Sequence, residues 1–268
     1  MKIIVLMKQV ANKDAILRIN KDSSWIEEGD LSFEVSESDG YALEEALRVK
    51  EKVGGGEVVV CSMGPSRVTS VIKDALARGA DRAIHVLPST DPSGADAAEK
   101  LRTLTPYAAA SVLAAAIRDE APDLILTGLQ SDDLGYGQTG VILAELLGLP
   151  HATIVIELDA SGEQLRVKRE LESGWYQWYT MPKPALLTIQ SGISQIRYAT
   201  LKGIMAAKKK EIKQVQAPAE IIGRAAHQKI EKIYLPQKTK QTQLLGNGDA
   251  KAGAAELAQK LHNEARAF

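Results

Sequence analysis

The chain has a single cysteine, Cys61, among 268 residues. That excludes an internal disulfide framework and any cysteine-rich metal site. Its four histidines, His85, His151, His227 and His262, are scattered without the spacing of a ligand set. Thirty-three basic against 34 acidic residues leave a formal charge of -1, so there is no general drive toward nucleic acid or acidic membrane. No apolar run is long enough to span a bilayer. Met1 to Leu6 is too short for a signal peptide and reads as a strand, so a reducing, intracellular setting is expected; the expected location is the cytoplasm of a prokaryote. No Gly-x-Ser-x-Gly elbow supports a hydrolase triad. No Gly-Lys-Ser/Thr P-loop supports that mode of ATP hydrolysis. An ATP-pyrophosphatase-type enzyme would need Ser-Gly-Gly-x-Asp-Ser after the first strand, where Met7-Lys8-Gln9-Val10 stands.

What is present is ordinary for a soluble globular protein: 45% hydrophobic and 25% charged residues, enough for one large domain or two small ones. Ile3 to Leu6 is a short apolar run, as expected of a strand covered on both faces. Asp39 to Val53 reads as a helix that Ser38 or Asp39 can cap and Gly54-Gly55-Gly56 ends. Glu57 to Cys61 is the next strand. A helix follows Pro65, with Val68, Val71, Ile72, Ala75 and Leu76 at helical spacing and Gly79 at its end. Arg82 to Val86 is a third strand, Pro88 to Leu104 a polar loop, Pro106 to Asp119 an alanine-rich helix, and Asp123 to Thr127 a fourth strand. This strand-helix alternation predicts an α/β fold with a doubly wound, mostly parallel sheet.

After Gly148-Leu149-Pro150 the pattern changes. Ala152 to Glu157, Leu165 to Leu171 and Trp175 to Met181 read as strands, the last two joined as a hairpin through Glu172-Ser173-Gly174. Ala185 to Ile189 is another. From Ala206 the chain is lysine-rich and loses periodicity until an amphipathic helix at about Ala254 to Arg266. Such a tail buries little of its own surface, so it is either disordered or wrapped on a partner.

The chemistry concentrates between Gly128 and Gly140. The stretch follows the fourth strand and opens a helix, Val141 to Leu147. Gly135-Tyr136-Gly137-Gln138-Thr139-Gly140 reads as G-x-G-x-x-G. Glycines let the backbone approach a bound group, and a helix N-terminus supplies free N–H donors, a combination suited to phosphate. The spelling is weak by itself, because a dinucleotide fingerprint sits directly after the first strand of its unit. Asp132-Asp133 is a carboxylate pair or metal site, or two loop carboxylates turned to ribose hydroxyls or solvent. Trp175-Tyr176-Gln177-Trp178-Tyr179 stacks on a ring or packs. Lys208-Lys209-Lys210 docks an acidic partner or forms a solvated helix face. Cys61 reads as a small core residue at a strand end. No catalytic constellation emerges.

Further segments carry a resemblance. They are Val167 to Gly174, Met181-Pro182-Lys183-Pro184-Ala185, and Arg197-Tyr198-Ala199-Thr200-Leu201-Lys202-Gly203-Ile204-Met205-Ala206-Ala207-Lys208-Lys209-Lys210. Together they resemble the signature of the β subunit of electron-transfer flavoproteins. The likeness extends from Lys2-Ile3-Ile4-Val5 through Ala42-Leu43-Glu44-Glu45-Ala46 and Gly79-Ala80-Asp81-Arg82 to at least Ile212.

The resemblance implies a Rossmann-like, adenine-nucleotide-binding domain over 1–211, with an extra antiparallel hairpin. A C-terminal arm and helix over 212–268 would wrap an α subunit. It implies a carrier rather than an enzyme, with no catalytic residues of its own. Electrons would pass from flavin dehydrogenases, such as acyl-CoA dehydrogenases, to a membrane quinone reductase or other acceptor. FAD would be held mainly by the α subunit, and AMP, as a structural nucleotide, by this chain. Carried over by position, the AMP site is Leu6, Ser36, Glu37, Ser38, Asp39, Met63, Gly128, Leu129, Gln130, Ser131, Asp132, Asp133, Leu134, Gly135, Tyr136, Gly137, Gln138 and Thr139. Arg197, Tyr198, Ala199, Thr200 and Leu201 match the loop that docks dehydrogenases, with Leu201 as apolar anchor. Ser36-Glu37 replaces the family's Asn-Pro, Ser194-Gln195-Ile196 stands where its Asn-x-Pro is usual, and Ser38 and Lys13 replace flavin-facing aromatics. Met7 to Val10 and Asp39 to Glu45 look closer to the bifurcating branch, in which a second FAD takes the AMP place. Gln138-Thr139-Gly140 looks closer to the AMP branch, and the loop carries more weight because it touches the distinguishing atoms. A stand-alone nucleotide-binding protein resembling universal stress proteins is the rival from another class. It would need neither the long arm nor the signature from Val167 to Lys210.

Overall fold

A computed structural model describes residues 1–87, 104–218, 220–221, 230–237 and 240–268. The polar stretch expected as a loop from Pro88 lies, up to residue 103, outside the described residues. The strands are β1 (Lys2–Leu6), β2 (Gln9–Ala11), β3 (Phe33–Val35), β4 (Glu57–Met63), β5 (Arg82–Leu87), β6 (Leu124–Gly128), β7 (His151–Asp159), β8 (Leu165–Glu170), β9 (Tyr176–Met181), β10 (Ala185–Ile189) and β11 (Ile212–Gln216). The helices are α1 (Glu37–Lys52), α2 (Thr69–Arg78), α3 (Pro106–Ile117), α4 (Thr139–Leu147), α5 (Leu201–Ala207) and α6 (Ala250–Asn263).

Nine strands form one sheet in the order β11-β5-β4-β1-β6-β10-β7-β8-β9. From β11 to β7 every pairing is parallel, and only the β7-β8-β9 edge is antiparallel. The expected doubly wound α/β sheet with an extra hairpin is therefore present. β2 and β3 form a separate two-stranded ribbon. They are too short to show a period, and the sequence gives no sign of them. β11 lies in the stretch expected to be arm, yet it pairs with β5 along its whole length, from Ile212 opposite Ala83 to Gln216 opposite Leu87. The compact unit that holds the sheet accordingly runs to Ile233, and Tyr234–Phe268 forms a second, small unit. Within the latter, Asp249 caps α6 by accepting from the Lys251 N–H at 2.8 Å, and α6 buries none of its residues.

The core follows from strand alternation. Ile3, Val5, Val58 and Val60 face α1 and α2, packing on Ala42, Leu43, Ala46, Ile72, Ala75 and Leu76. Ile4, Leu6, Val59 and Cys61 face the opposite side with Ala110, Leu113 and Ile117 of α3 and Leu143 and Ala144 of α4. Two covered faces favour apolar side chains, which is why the central strands read as near-continuous apolar runs, with only a few buried polar residues such as Ser62, His85 and Thr127. α4 lies very close to the sheet. A Cβ on Gly140 would stand 2.8 Å from Thr188 Cγ2 and 2.9 Å from Thr127 Oγ1.

The aromatic run departs from a packing role. Trp175, Tyr176 and Trp178 are exposed, whereas Tyr179 packs on the core. Arg166 lies 4.4 Å over the Trp178 ring and Lys168 4.8 Å over Tyr176, so cations cover the rings on the outermost strands. The lysine run also divides: Lys208 and Lys209 are exposed, while Lys210 Nζ donates to the carbonyls of Leu76 and Ala80, at 2.9 and 2.6 Å, around the end of α2.

The close seating of α4 yields a prediction. Gly140→Ala lowers stability by about 1–3 kcal/mol, because the new methyl forces helix and sheet apart. Urea unfolding of the two proteins measures it; an unchanged midpoint would show that the contact yields freely.

Candidate functional site

β1 has β4 on one side and β6 on the other. The chain therefore winds outward from β1 to β4 and β5, then returns to β6 on β1's opposite flank. At such a switch point the crossovers diverge, and the strands' C-terminal ends border a crevice. A cavity of about 180 Å³ lies there. Leu6, Met7 and Lys8 after β1, Cys61 and Met63 of β4, and Thr127 and Gly128 of β6 contribute to its lining. The loop residues Leu129, Gln130, Ser131, Leu134, Tyr136, Gly137, Gln138, Thr139 and Gly140 enclose it from one side, and Pro106, Ala109 and Leu113 of α3 from another.

The first turn of α1 holds this crevice together. Asp39 is buried, and its two carboxylate oxygens accept one backbone N–H each: Oδ2 from Lys8 and Oδ1 from Gly128, both at 2.8 Å. One side chain thus ties the end of β1 to the end of β6. Gly128 must be glycine, since a Cβ there would run into Ser38 Oγ and stand 2.6 Å from Asp39 Oδ1. Ser38 Oγ donates to the Gln130 carbonyl at 2.6 Å. The Asp132 carboxylate accepts the Glu37 N–H at 2.7 Å, and Ser36 Oγ accepts the Asp132 N–H at 3.2 Å.

These bonds correct one reading of the sequence and qualify another. Neither Ser38 nor Asp39 caps α1, because the helix begins earlier, with Ser36 at its N-cap position. The cap comes instead from Asp132, far along the chain, which satisfies an otherwise open N–H and suits the positive end of the helix. Asp132 and Asp133 also have internal partners rather than only solvent or a ligand. Asp133 Oδ1 lies 2.6 Å from Lys8 Nζ, which also donates to Ser131 Oγ at 3.3 Å. Burial opposes ionisation of Asp133, but Lys8, Ser131 and the Leu134 N–H outweigh it and hold the carboxyl below its usual range. Among the described residues, no cluster of histidine, cysteine and carboxylates could hold a metal ion.

Of the expected nucleotide-site residues, Leu6, Asp39, Met63, Gly128, Leu129, Gln130, Ser131, Leu134, Tyr136, Gly137, Gln138 and Thr139 line the cavity. Ser36, Glu37, Ser38, Asp132, Asp133 and Gly135 do not; all but Gly135 make the bonds just described. Gly140, the end of the expected loop, lines it too, and Met7, Lys8, Cys61, Leu104, Thr105, Pro106, Ala109, Leu113 and Thr127 join the lining unforeseen. Several of these sit at or just past strand ends, a signal that the switch-point rule supplies once the strand order is known. The lining divides chemically. Leu6, Met63, Ala109 and Leu113 are apolar and suit a flat ring. Gln138, Thr139 and Gly140 begin α4, whose first N–H groups have no partner within the helix. Gly137 precedes them at φ +63°, a backbone shape that favours glycine. Lys8 is the one cation among the described lining residues.

The expected docking loop lies elsewhere on the same unit. Tyr198 and Leu201 are 91% and 84% exposed. Arg197 instead turns inward onto Glu44 and Glu51 of α1. Ala199 packs against the core, and Thr200 Oγ1 caps α5 by accepting the Gly203 N–H at 3.0 Å.

Comparison with known proteins identifies the family. Residues 24–220 match the family model of the electron transfer flavoprotein domain. The electron transfer flavoprotein subunit beta of Methylophilus methylotrophus is 36% identical over 255 residues, covering 92% of this chain and 93% of the relative. The mitochondrial subunit beta of Oryza sativa subsp. japonica is 35% identical over 266 residues, 99% of each chain. That of Bradyrhizobium diazoefficiens is 35% identical over 265 residues, again 99% of each. The chain belongs to the electron transfer flavoprotein β-subunit family.

Asp39 generates a pH prediction. Burial pushes its carboxyl from 3.8 up to about 7, against the Lys8 and Gly128 N–H groups that pull it down. The folded state then holds a proton that the unfolded chain has released. The Asp39 contribution is full below about pH 4 and is lost as pH rises to about 7. Asp39→Asn removes this dependence. The stability gap between wild type and variant, from urea unfolding, shrinks from pH 4 to 7 and is flat above. A pH-independent gap would show that Asp39 is ionised throughout.

Proposed function

We propose that this member of the electron transfer flavoprotein β-subunit family pairs with an α subunit to form an electron carrier, and that it holds AMP in the β1/β6 crevice. The observation that carries the nucleotide reading is the divided lining of that crevice. The adenine ring fits the apolar side formed by Leu6, Met63 and Leu113, and the phosphate fits the open N–H groups at Gln138, Thr139 and Gly140. Asp39 is not a ribose ligand in this reading, since both its oxygens already serve the fold. AMP itself supplies no redox chemistry; its binding stiffens the loop that α1 already grips. The FAD that carries the electrons belongs mainly to the α subunit. The small C-terminal unit, Tyr234–Phe268, supplies the arm for that subunit, and the exposed surface of α6 fits such a partner.

Donor dehydrogenases, of the acyl-CoA dehydrogenase type, dock at Tyr198 and Leu201, and a quinone reductase or other acceptor takes the electrons on. Two large, exposed apolar side chains on a short segment favour a small, reversible contact, the kind a carrier needs. No described helix is long and apolar enough to cross a membrane.

Two measurements test this. Denaturing the co-expressed heterodimer and quantifying what it releases gives one FAD and one AMP. Two FAD and no AMP would instead assign the crevice to the AMP-like portion of a second flavin, the bifurcating arrangement. Leu201→Ala slows electron transfer from the dehydrogenase while FAD content stays intact, since burying a leucine contributes roughly 1.5–3 kcal/mol. Loss of FAD in that variant would place Leu201 in a structural role.

A further inference from the structure

We infer that Arg197 is a positioning residue: clamped by Glu44 and Glu51 of α1, it holds the segment from Tyr198 to Leu201 in the pose from which Leu201 docks. The inference rests on the docking reading above and assigns Arg197 a different part in it, one without contact to the dehydrogenase. All three nitrogens of the guanidinium donate within this chain. Its Nε and Nη2 each donate to Glu44 at 2.9 Å, and its Nη1 donates to Glu51 at 2.6 Å. Its own backbone N–H donates to Glu44 Oε2 at 3.0 Å, so main chain and side chain are both tied to one carboxylate. The Glu44 side chain is only 5% exposed, which makes Arg197 its necessary counter-charge and resists release of the pair.

The neighbouring residues extend the clamp. Ile196 seats against Gly40 of α1, where a Cβ would lie 3.5 Å from its Cδ1. On the far side, Gly203 abuts the Ala77 carbonyl of α2 so closely that a Cβ would collide with it. The segment is thus fixed at both ends while Tyr198 and Leu201 project into solvent. Exposed apolar side chains on an unrestrained loop lose freedom on docking, and that loss weakens binding. A segment ordered beforehand avoids it. Arg197 therefore acts through Leu201, and its effect belongs in the affinity for the dehydrogenase rather than in the flavin chemistry.

The test uses the whole heterodimer, with an acyl-CoA dehydrogenase reduced by its own substrate as donor. The Glu44→Gln/Arg197→Gln double variant removes both charges, so neither is left buried alone. Its KM for the heterodimer rises about tenfold while kcat holds. FAD content and direct reduction by dithionite do not change. Adding Leu201→Ala to the unclamped background then raises KM much less than it does in the wild type. Glu51→Gln leaves Glu44 paired and carries the same test in milder form should the double variant not fold. An unchanged KM in unclamped protein would overturn the inference, as would penalties for clamp and Leu201 that simply multiply. Leu201→Ala without effect in the wild type would fail the docking reading itself.

Discussion

A buried carboxylate joins the two halves of this fold. Asp39 accepts the N–H of Lys8, 31 residues away, and that of Gly128, 89 residues away. Those two amides mark where β1 and β6 stop and their loops diverge. Backbone N–H groups just beyond a strand end have lost their ladder partners, and when buried they must find others. Asp39 supplies both partners at once, and Ser38 and Asp132 fasten the following loop to the same helical turn. The crevice is thus bordered by elements that are already connected to each other. Gly128 follows from the same constraint, since any side chain there would displace the carboxylate.

α1 links two different surfaces. Its first turn holds the loop beside the β1/β6 crevice. Further along, Glu44 and Glu51 hold Arg197 and with it the exposed Tyr198 and Leu201. Buried acidic residues on a core helix are expensive unless paired, and here the pairing ties a surface loop to the scaffold. The same helix sends Leu43, Ala46 and Leu47 into the core, so both surfaces stand on one rigid element. That arrangement suits a carrier, which must keep its cofactor side intact while partners come and go.

Much of this was legible in the sequence, for physical reasons that also explain what was not. Parallel strands covered on both faces, such as Ile3 to Leu6, appear as apolar runs. α2 shows its period because one face is buried and the other is not. The Gly128 to Gly140 loop was visible because glycine is rarely needed so densely without a close approach. By contrast, β2 and β3 are three residues each, shorter than any period. β11 places Lys213, Gln214 and Gln216 at a sheet edge and so read as polar tail. α5 exposes Leu201, Ile204 and Met205, the reverse of an inward apolar face. The roles of Asp39, Asp132 and Arg197 depend on partners far along the chain, which no local pattern records. Residue type alone suggested a cap at Asp39, which the structure replaces, and it gave no sign that Asp39, Asp132 and Arg197 fasten loops to α1.

The central claim is that a nucleotide phosphate sits at the start of α4, in a crevice fastened by Asp39. Backbone hydrogen exchange tests it most directly, on the nucleotide-stripped heterodimer with and without added AMP. The account predicts that AMP slows exchange at Thr139, Gly140 and Val141, whose N–H groups have no helical acceptor, while the edge strands β8 and β9 exchange as before. Unchanged exchange at the start of α4, with protection appearing elsewhere or nowhere, would contradict it.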